Sequence, residues 1–483
     1  MHITDAQLLS CISCPQSTLP YPCLSCGTQP TSHQGARVIL VGEACDAKGI
    51  EYGSSFDDGW LADYYTSGGS GRVVAHPVSI AAGLRSREDI TVTLFPHDDV
   101  QGAINAMRGH DVAIACGGGM STEGADRCTL RLDQDDFLKR LANNAAHLRQ
   151  IESKASQAIP PLVIVALAPG VILTEWSIEA DAALAMFLPG EQAGNAAADV
   201  LLGDLSPSGR LPVSLPVREE DVQSICRGKY AYCTYEEGLR VGWRGLIGKP
   251  VAYPFGHGLS YGWFDYSWVR RSDTVVTTAS HDTDDAGSRT ALSFAVRVTN
   301  WGNHPAEDVV QLYLAYPKGA GEPDLVLRDF AKTPLLQPGS SSTLTLSVTH
   351  DGLSVWRTSR GEWEPFGGRY VAWIGASSRN LSLAHNFDVH AKEVGSTRDA
   401  ELLDPSPHVA QACPGWCSGA GSQKPDECLY CPRPECPGWC ADWKCDGASW
   451  CLHGQKPESC TPHGFVQCEV CADDPICDKC AAG

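Results

Sequence analysis

Three groups of residues have the types and spacing that chemistry requires. The first is Gly117-Gly-Gly-Met-Ser-Thr-Glu123-Gly-Ala-Asp126-Arg127, a carboxylate loop directly after an apolar run. A carboxylate framed by glycines at the C-terminal edge of a parallel sheet lies where α/β folds hold ligands, and a Glu there can give or accept a proton. The same residues also suit a solvated turn with a local Asp126–Arg127 pair. The second group is Phe56-Asp57-Asp58-Gly59-Trp60. Here Trp60 offers a ring to a sugar face and Asp58 a carboxylate to sugar hydroxyls; a plain surface loop is the competing reading. The third is the cysteines. Of 22, four precede residue 27, five are scattered between 45 and 233, and thirteen follow residue 412.

The thirteen are Cys413, Cys417, Cys428, Cys431, Cys436, Cys440, Cys445, Cys451, Cys460, Cys468, Cys471, Cys477 and Cys480. Their C-x2-C pairs would suit tetrahedral zinc, as would Cys11-x2-Cys14 with Cys23-x2-Cys26. The tail holds few aliphatic residues, however, and a high Cys fraction in such a segment is the signature of a disulfide-stapled module. Disulfides are the expectation, with zinc as the alternative and no metal or cofactor assigned. Because thirteen is odd, at least one tail thiol pairs elsewhere or stays free. Cys413-Pro-Gly-Trp-Cys417 recurs as Cys436-Pro-Gly-Trp-Cys440, a duplicated unit. Trp416, Trp439, Trp443 and Trp450 could stack on sugar rings, which would make the tail a glycan-binding appendage, or they could form its small core. Gly68-Gly-Ser-Gly71 looks like a phosphate-cradling loop, but Arg72-Val73 does not supply the Gly-Lys-Ser/Thr that a Walker motif requires.

The elements that must position these groups are legible from patterning. Val38 to Gly42, Ile90 to Leu94, Asp111 to Cys116, Leu162 to Ala168 and Ala182 to Leu188 are short apolar runs of the kind buried on both faces in parallel sheets. Helical patterns lie between them, notably Gln134 to Ile151 and Glu191 to Leu202. From about Tyr266 the pattern alternates instead, at Ser293 to Thr299, Asp308 to Leu314, Ser342 to Val348 and Tyr370 to Ile374. Short strands at this spacing predict a β-sandwich of the immunoglobulin or fibronectin kind. The fold class is therefore multidomain: an α/β sandwich with a mostly parallel sheet, an all-β sandwich and a Cys-rich module. Its segments are an irregular Cys-containing leader (1–36), the α/β domain (37–265), the all-β domain (266–390), a linker (391–410) and the tail (411–483).

Composition excludes several classes. Against 57 Asp and Glu stand only 37 Lys and Arg, a net charge of −20. Nucleic acid is not an expected partner, because phosphate backbones are held by clustered cations. No apolar run approaches the roughly 20 residues of a membrane span. Met1-His2-Ile3-Thr4-Asp5-Ala6 carries no legible signal peptide, although this N-terminus need not be the natural one.

Five ordered motifs carry a family resemblance. They are Tyr65-Thr-Ser-Gly68-Gly-Ser-Gly71-Arg72-Val73, Glu123-Gly-Ala-Asp-Arg127, Leu188-Pro-Gly-Glu191-Gln-Ala-Gly194-Asn195, Gly203-Asp204-Leu-Ser-Pro207-Ser-Gly209-Arg210-Leu211-Pro212 and Pro254-Phe255-Gly256-His257-Gly258-Leu259-Ser260-Tyr261. Together they resemble the C-terminal α/β-sandwich domain of glycoside hydrolase family 3. Val309-Val310-Gln311-Leu312-Tyr313 and Leu327-Arg328-Asp329-Phe330 resemble the fibronectin-III-like domain that follows it there.

The resemblance implies a retaining β-glucosidase-like enzyme acting on terminal non-reducing β-D-glucosyl residues of β-linked oligosaccharides or glucosides, in β-glucan or cellulose-type catabolism. A β-xylosidase is the alternative within the family, and a non-catalytic glycan-binding or adhesion protein the alternative outside it. Glu123 takes the acid/base position, with a pKa raised by a neighbouring anionic nucleophile. In the family that nucleophile is an Asp on an N-terminal (β/α)8 barrel, usually within Ser-Asp-Trp. A barrel needs about 250 residues; only 36 precede the α/β pattern here, and no Ser-Asp-Trp occurs. The expectation is a chain inactive by itself, either truncated or completed by a barrel from another polypeptide. A secreted or vacuolar location is implied, and Asn380-Leu-Ser382 is a glycosylation sequon.

Overall fold

The computed structural model describes residues 9–13, 35–46, 63–65, 68–69, 77–123, 127, 129–152, 158–222, 235–278 and 290–392, with the backbone alone at 9–13, 274–278 and 392. The first domain contains β1 (Leu9–Ser13), β2 (Ala36–Val41), α1 (Ile80–Arg85), β3 (Ile90–Phe95), α2 (Val100–Met107), β4 (Val112–Gly118), α3 (Asp135–Ile151), β5 (Leu162–Ala168), β6 (Ala182–Phe187) and α4 (Ala193–Leu201). The strand order is β1-β6-β5-β4-β2-β3. Strands β2 to β6 are parallel, and β1 joins the β6 edge antiparallel.

The expected parallel strands all form. Those at the centre read as unbroken apolar runs because helices cover both faces. Val38 and Leu40 face α1 and α4, whereas Ile39 and Val41 face α2 and α3. The starts of α1 and α2 are fixed by side-chain oxygens: Ser79 Oγ accepts the Ala82 N–H, and the Asp99 carboxylate accepts those of Gln101 and Gly102. Helices α1 and α4 cross in near contact at Gly83 and Gly194. A Cβ on Gly194 would lie 1.8 Å from the Ser79 carbonyl oxygen. That close approach explains the glycine in Glu191-Gln-Ala-Gly194.

The irregular reading of 1–36 is corrected at Leu9–Ser13, which forms edge strand β1, paired from Leu9↔Met186 to Ser13↔Ala183. Five residues paired on one side only leave too short a pattern to read from the sequence. An unread disulfide also crosses this domain. Cys45, just beyond β2, is bonded to Cys116 on β4, with both residues fully buried. Closing a loop of this length is worth about 4 kcal/mol in the chain-entropy model.

Two short strands, β7 (Leu215–Pro216) and β8 (Val251–Tyr253), pair antiparallel before the second domain. That domain is an all-β sandwich built from β9 (Phe264–Arg270), β10 (Thr274–Thr278), β11 (Thr290–Asn300), β12 (Val309–Ala315), β13 (Val326–Lys332), β14 (Ser341–Thr349), β15 (Ser354–Arg357), β16 (Glu362–Pro365), β17 (Gly368–Gly375) and β18 (Leu381–Lys392). One sheet is β10-β18-β17-β12-β13, the other β14-β11-β9, and β15 and β16 form a separate hairpin. Phe294, Val296, Val310, Leu312, Tyr370 and Phe387 lie in the core between the sheets.

Buried polar groups hold the two domains together. The Arg210 guanidinium pairs with Asp308 Oδ1 at 2.6 Å, and Tyr266 donates to Asp308 Oδ2 at 2.6 Å. Removing one partner of such a pair leaves an uncompensated charge, at a cost of about 3–5 kcal/mol. Gln311 Nε2 donates to the carbonyls of Gly256 and Ala376. The Pro254–Tyr261 motif thus forms part of this junction. His257 accepts the Leu211 N–H at its carbonyl, and its ring lies on Tyr253.

One buried carboxyl makes stability depend on pH. Asp135 opens α3 and is pushed up to about 6 by burial, with Arg131 opposing the shift. Its Oδ2 meets Arg131 at 3.0 Å, while its Oδ1 is buried without a hydrogen-bond partner. The folded pKa exceeds the unfolded value, so the native state binds the proton more tightly, and this group's contribution falls as pH rises through 6. We predict that wild type gains stability relative to Asp135→Asn as pH is lowered from 7.5 to 4.5, as measured by paired urea titrations. A difference constant across that range would contradict it.

Candidate active site

The site begins with a topological fact. After β2 the chain moves to β3 on one side, then crosses back to β4 on the other. Their loops therefore leave in opposite directions and open a crevice at the C-terminal ends of β2 and β4, the place where open α/β sheets bind ligands.

Glycines line both strand ends. Gly42 has φ +100°, and a Cβ there would press on the Cys116 carbonyl, Asp98 and Phe137. Glu43 follows, its N–H donating to Asp98 Oδ1 at 3.0 Å. On β4 a Cβ at Gly118 would meet the Tyr64 ring at 2.3 Å, so the glycine there makes room for Tyr64 against the strand end. Gln134 ties the wall together: its Oε1 accepts the Gly118 N–H at 2.9 Å, and its Nε2 donates to Tyr64 Oη at 2.9 Å and Glu43 Oε1 at 3.4 Å. Burial, with the nearby charges of Asp133 and Glu43, pushes the Tyr64 hydroxyl far above its ordinary range. Tyr64 is a neutral phenol at any physiological pH.

Glu123 sits in the turn that follows this wall and is exposed. It lies against Gly69, where a Cβ would fall 2.3 Å from the Glu123 Cβ and 2.9 Å from its Oε2. Gly68 N–H donates to the Ser121 carbonyl at 2.9 Å. The glycine motif and the carboxylate loop, read separately from the sequence, thus meet at Gly68 and Gly69, and Gly69 makes room for the Glu123 side chain. Arg127 stands behind, donating from Nη2 to the Val171 carbonyl at 2.7 Å. Burial pulls its pKa down, opposed by Asp133 and Glu219. Glu219 anchors the far end of the loop by accepting from the Leu130 N–H and the Thr129 hydroxyl.

The arrangement offers an exposed carboxylate at the crevice lip, a neutral phenol in its wall and further carboxylates at Glu43, Asp98 and Asp133. Such a set can exchange protons with a neutral polar ligand. Among the described residues no group of three or more His, Cys, Asp or Glu could hold a metal ion. Asp126, Asp58, Trp60 and all thirteen tail cysteines lie outside the described residues. Asn380 is described, and is exposed at the turn between β17 and β18 with Ser382 exposed beside it. Sequence reading missed Tyr64, Gln134 and the Cys45–Cys116 bond. Only the glycines facing them hint at the close packing of the wall.

Residues 27–261 match the glycosyl hydrolase family 3 C-terminal domain, and residues 308–378 match the fibronectin type III-like domain. The chain is 30% identical to a β-glucosidase, cel3A, of Pyricularia oryzae over 73% of its own length and 50% of that protein's. It is 29% identical to a probable β-glucosidase D of Aspergillus flavus over 68% of its length and 41% of that protein's. A crystal structure of a β-D-glucoside glucohydrolase from Trichoderma reesei superposes with a TM-score of 0.67 at 25% identity, covering 80% of this chain and 54% of that one. The chain spans about half the length of the proteins it matches. Through its α/β domain and the fibronectin type III-like domain behind it, this chain belongs to glycoside hydrolase family 3.

Proposed function

We propose that the chain contributes the acid/base side of a retaining β-glucosidase active site, with Glu123 as the acid/base residue. The observation that carries this reading is Glu123 itself: an exposed carboxylate on the loop after β4, laid over Gly69 at the crevice where the strand order reverses. In the first step a protonated Glu123 donates to the glycosidic oxygen as the aglycone leaves. In the second, the same carboxylate takes a proton from the water that cleaves the glycosyl intermediate. The attacking carboxylate must stand about 5–5.5 Å away on the other face of the sugar bond. We assign it to a barrel domain, carried by a longer natural product or by another chain. The substrate class is a terminal, non-reducing β-D-glucosyl residue of a β-linked oligosaccharide or aryl glucoside.

The location that fits this reading is secreted or vacuolar. A buried disulfide belongs to an oxidising compartment, and the Asn380 sequon stands exposed on a turn, open to glycan transfer.

Two measurements test these readings. The chain alone is expected to release no phenol from an aryl β-glucoside. Assembled with a family 3 barrel it is expected to turn over, and Glu123→Gln to lower that rate about 10²–10⁴-fold for poor leaving groups; with an activated leaving group, whose departure needs no acid, azide should restore part of the rate by attacking the glycosyl intermediate in place of water. Turnover by the chain alone, or an unchanged rate in the variant, contradicts the assignment. For location, peptide mapping of the chain secreted from a eukaryotic host should find a glycan on Asn380 and a linked Cys45–Cys116 peptide. Bare Asn380 together with two free thiols would oppose it.

A further inference from the structure

The β15–β16 hairpin carries a feature that the proposed reaction does not use. Trp356 and Trp363 are paired directly across the two strands, with ring centroids 5.6 Å apart and planes inclined at 65°. Despite that contact, Trp356 remains 49% exposed and Trp363 61% exposed. The hairpin itself is firmly seated. Val355, one residue from Trp356, is buried, the Phe366 N–H donates to the Leu353 carbonyl, and Tyr370 Oη donates to the Phe366 carbonyl at 2.8 Å. The base of the hairpin needs nothing from the outer face of either indole.

Charge and area say what kind of partner fits. The cations beside the pair are already engaged: Arg357 meets Glu364 at 3.4 Å and lies 5.3 Å from the Phe366 ring, and Arg360 pairs with Glu362 and Glu364. A patch whose charges are closed on themselves selects a neutral ligand. Two indoles of about 150–250 Å² each, half exposed, offer on the order of 200 Å². A stable protein interface needs about 800 Å² per partner, so the two indoles by themselves fall short of holding a second copy or another folded protein. A chain of pyranose rings fits instead. Each ring presents an apolar C–H face of indole size, with hydroxyls at its rim that can reach the surrounding Arg and Glu side chains.

We propose that Trp356 and Trp363 form a docking platform for a neutral β-glucan chain, separate from the crevice at β2 and β4. The choice of glucan rests on the glucosidase reading; the platform rests on the hairpin alone. Holding a polymer there would raise the local concentration of chain ends without taking part in bond cleavage.

The test is binding rather than turnover, so the fate of the catalytic assignment does not decide it. The full chain is titrated calorimetrically with cellohexaose and run through native gels containing soluble β-glucan, with thermal unfolding as the folding control. Wild type is expected to bind. Trp356→Ala and Trp363→Ala should each weaken binding at least tenfold, while Trp356→Tyr, which keeps an aromatic face, retains most of it. Trp301→Ala alters another exposed tryptophan, at the opposite end of β11 from the hairpin, and should leave binding unchanged. No binding by wild type, equal binding by folded Trp356→Ala, or equal loss in Trp301→Ala would overturn the proposal. Binding of xylohexaose but not cellohexaose would overturn the glucan assignment.

Discussion

The reversal of strand order at β2 is the constraint on which the rest of the site depends. Because β3 and β4 flank β2, their connections diverge and leave a gap at the C-terminal ends of β2 and β4. Everything polar in the site has been fitted to that gap. Gly42 and Gly118 carry no side chain at these strand ends, and Tyr64 takes the space against Gly118, whereas Gly117 makes room for Leu138 and Leu132 of the core. The disulfide from Cys45 to Cys116 ties the two strand ends together just behind the opening. Glu123 follows this wall and lies against Gly69.

The second domain matters to this arrangement through its junction. A buried ion pair such as Arg210–Asp308 contributes little net stability, because desolvation offsets most of the attraction. It does fix which surfaces meet, since any slip would strand a buried charge. With Tyr266 and Gln311 added, the sandwich is docked in one orientation on the Pro254–Tyr261 turn. The exposed tryptophan hairpin is then carried at a defined place on the molecule, as a surface platform requires.

Much of the fold was legible because burial on both faces writes itself into composition. Val38–Val41 and Leu162–Ala168 are uninterrupted apolar runs, and the sandwich strands alternate because each has one dry face and one wet one. β1 was not legible: it is five residues long and pairs on one side only. The site was legible only in part. Glu123 announced itself as a carboxylate among glycines after a strand, but its contact with Gly69 joins distant stretches through tertiary packing that no local spacing encodes. The same holds for Cys45 and Cys116, 71 residues apart and lacking any C-x-x-C pattern. The pairing of Trp356 with Trp363 was not legible either, because it is a register partnership across a hairpin rather than a sequence motif.

We propose that Glu123, rather than another carboxylate of the crevice, faces the scissile bond. This assignment is tested most directly by a crystal structure of this chain assembled with a family 3 barrel and a glucose-configured imino-sugar inhibitor. The account predicts a Glu123 oxygen about 2.6–3.2 Å from the inhibitor atom at the glycosidic position, and about 5–5.5 Å between the Glu123 carboxyl and the barrel carboxylate. Finding Glu43 or Asp98 at that position, with Glu123 turned to solvent, would contradict it.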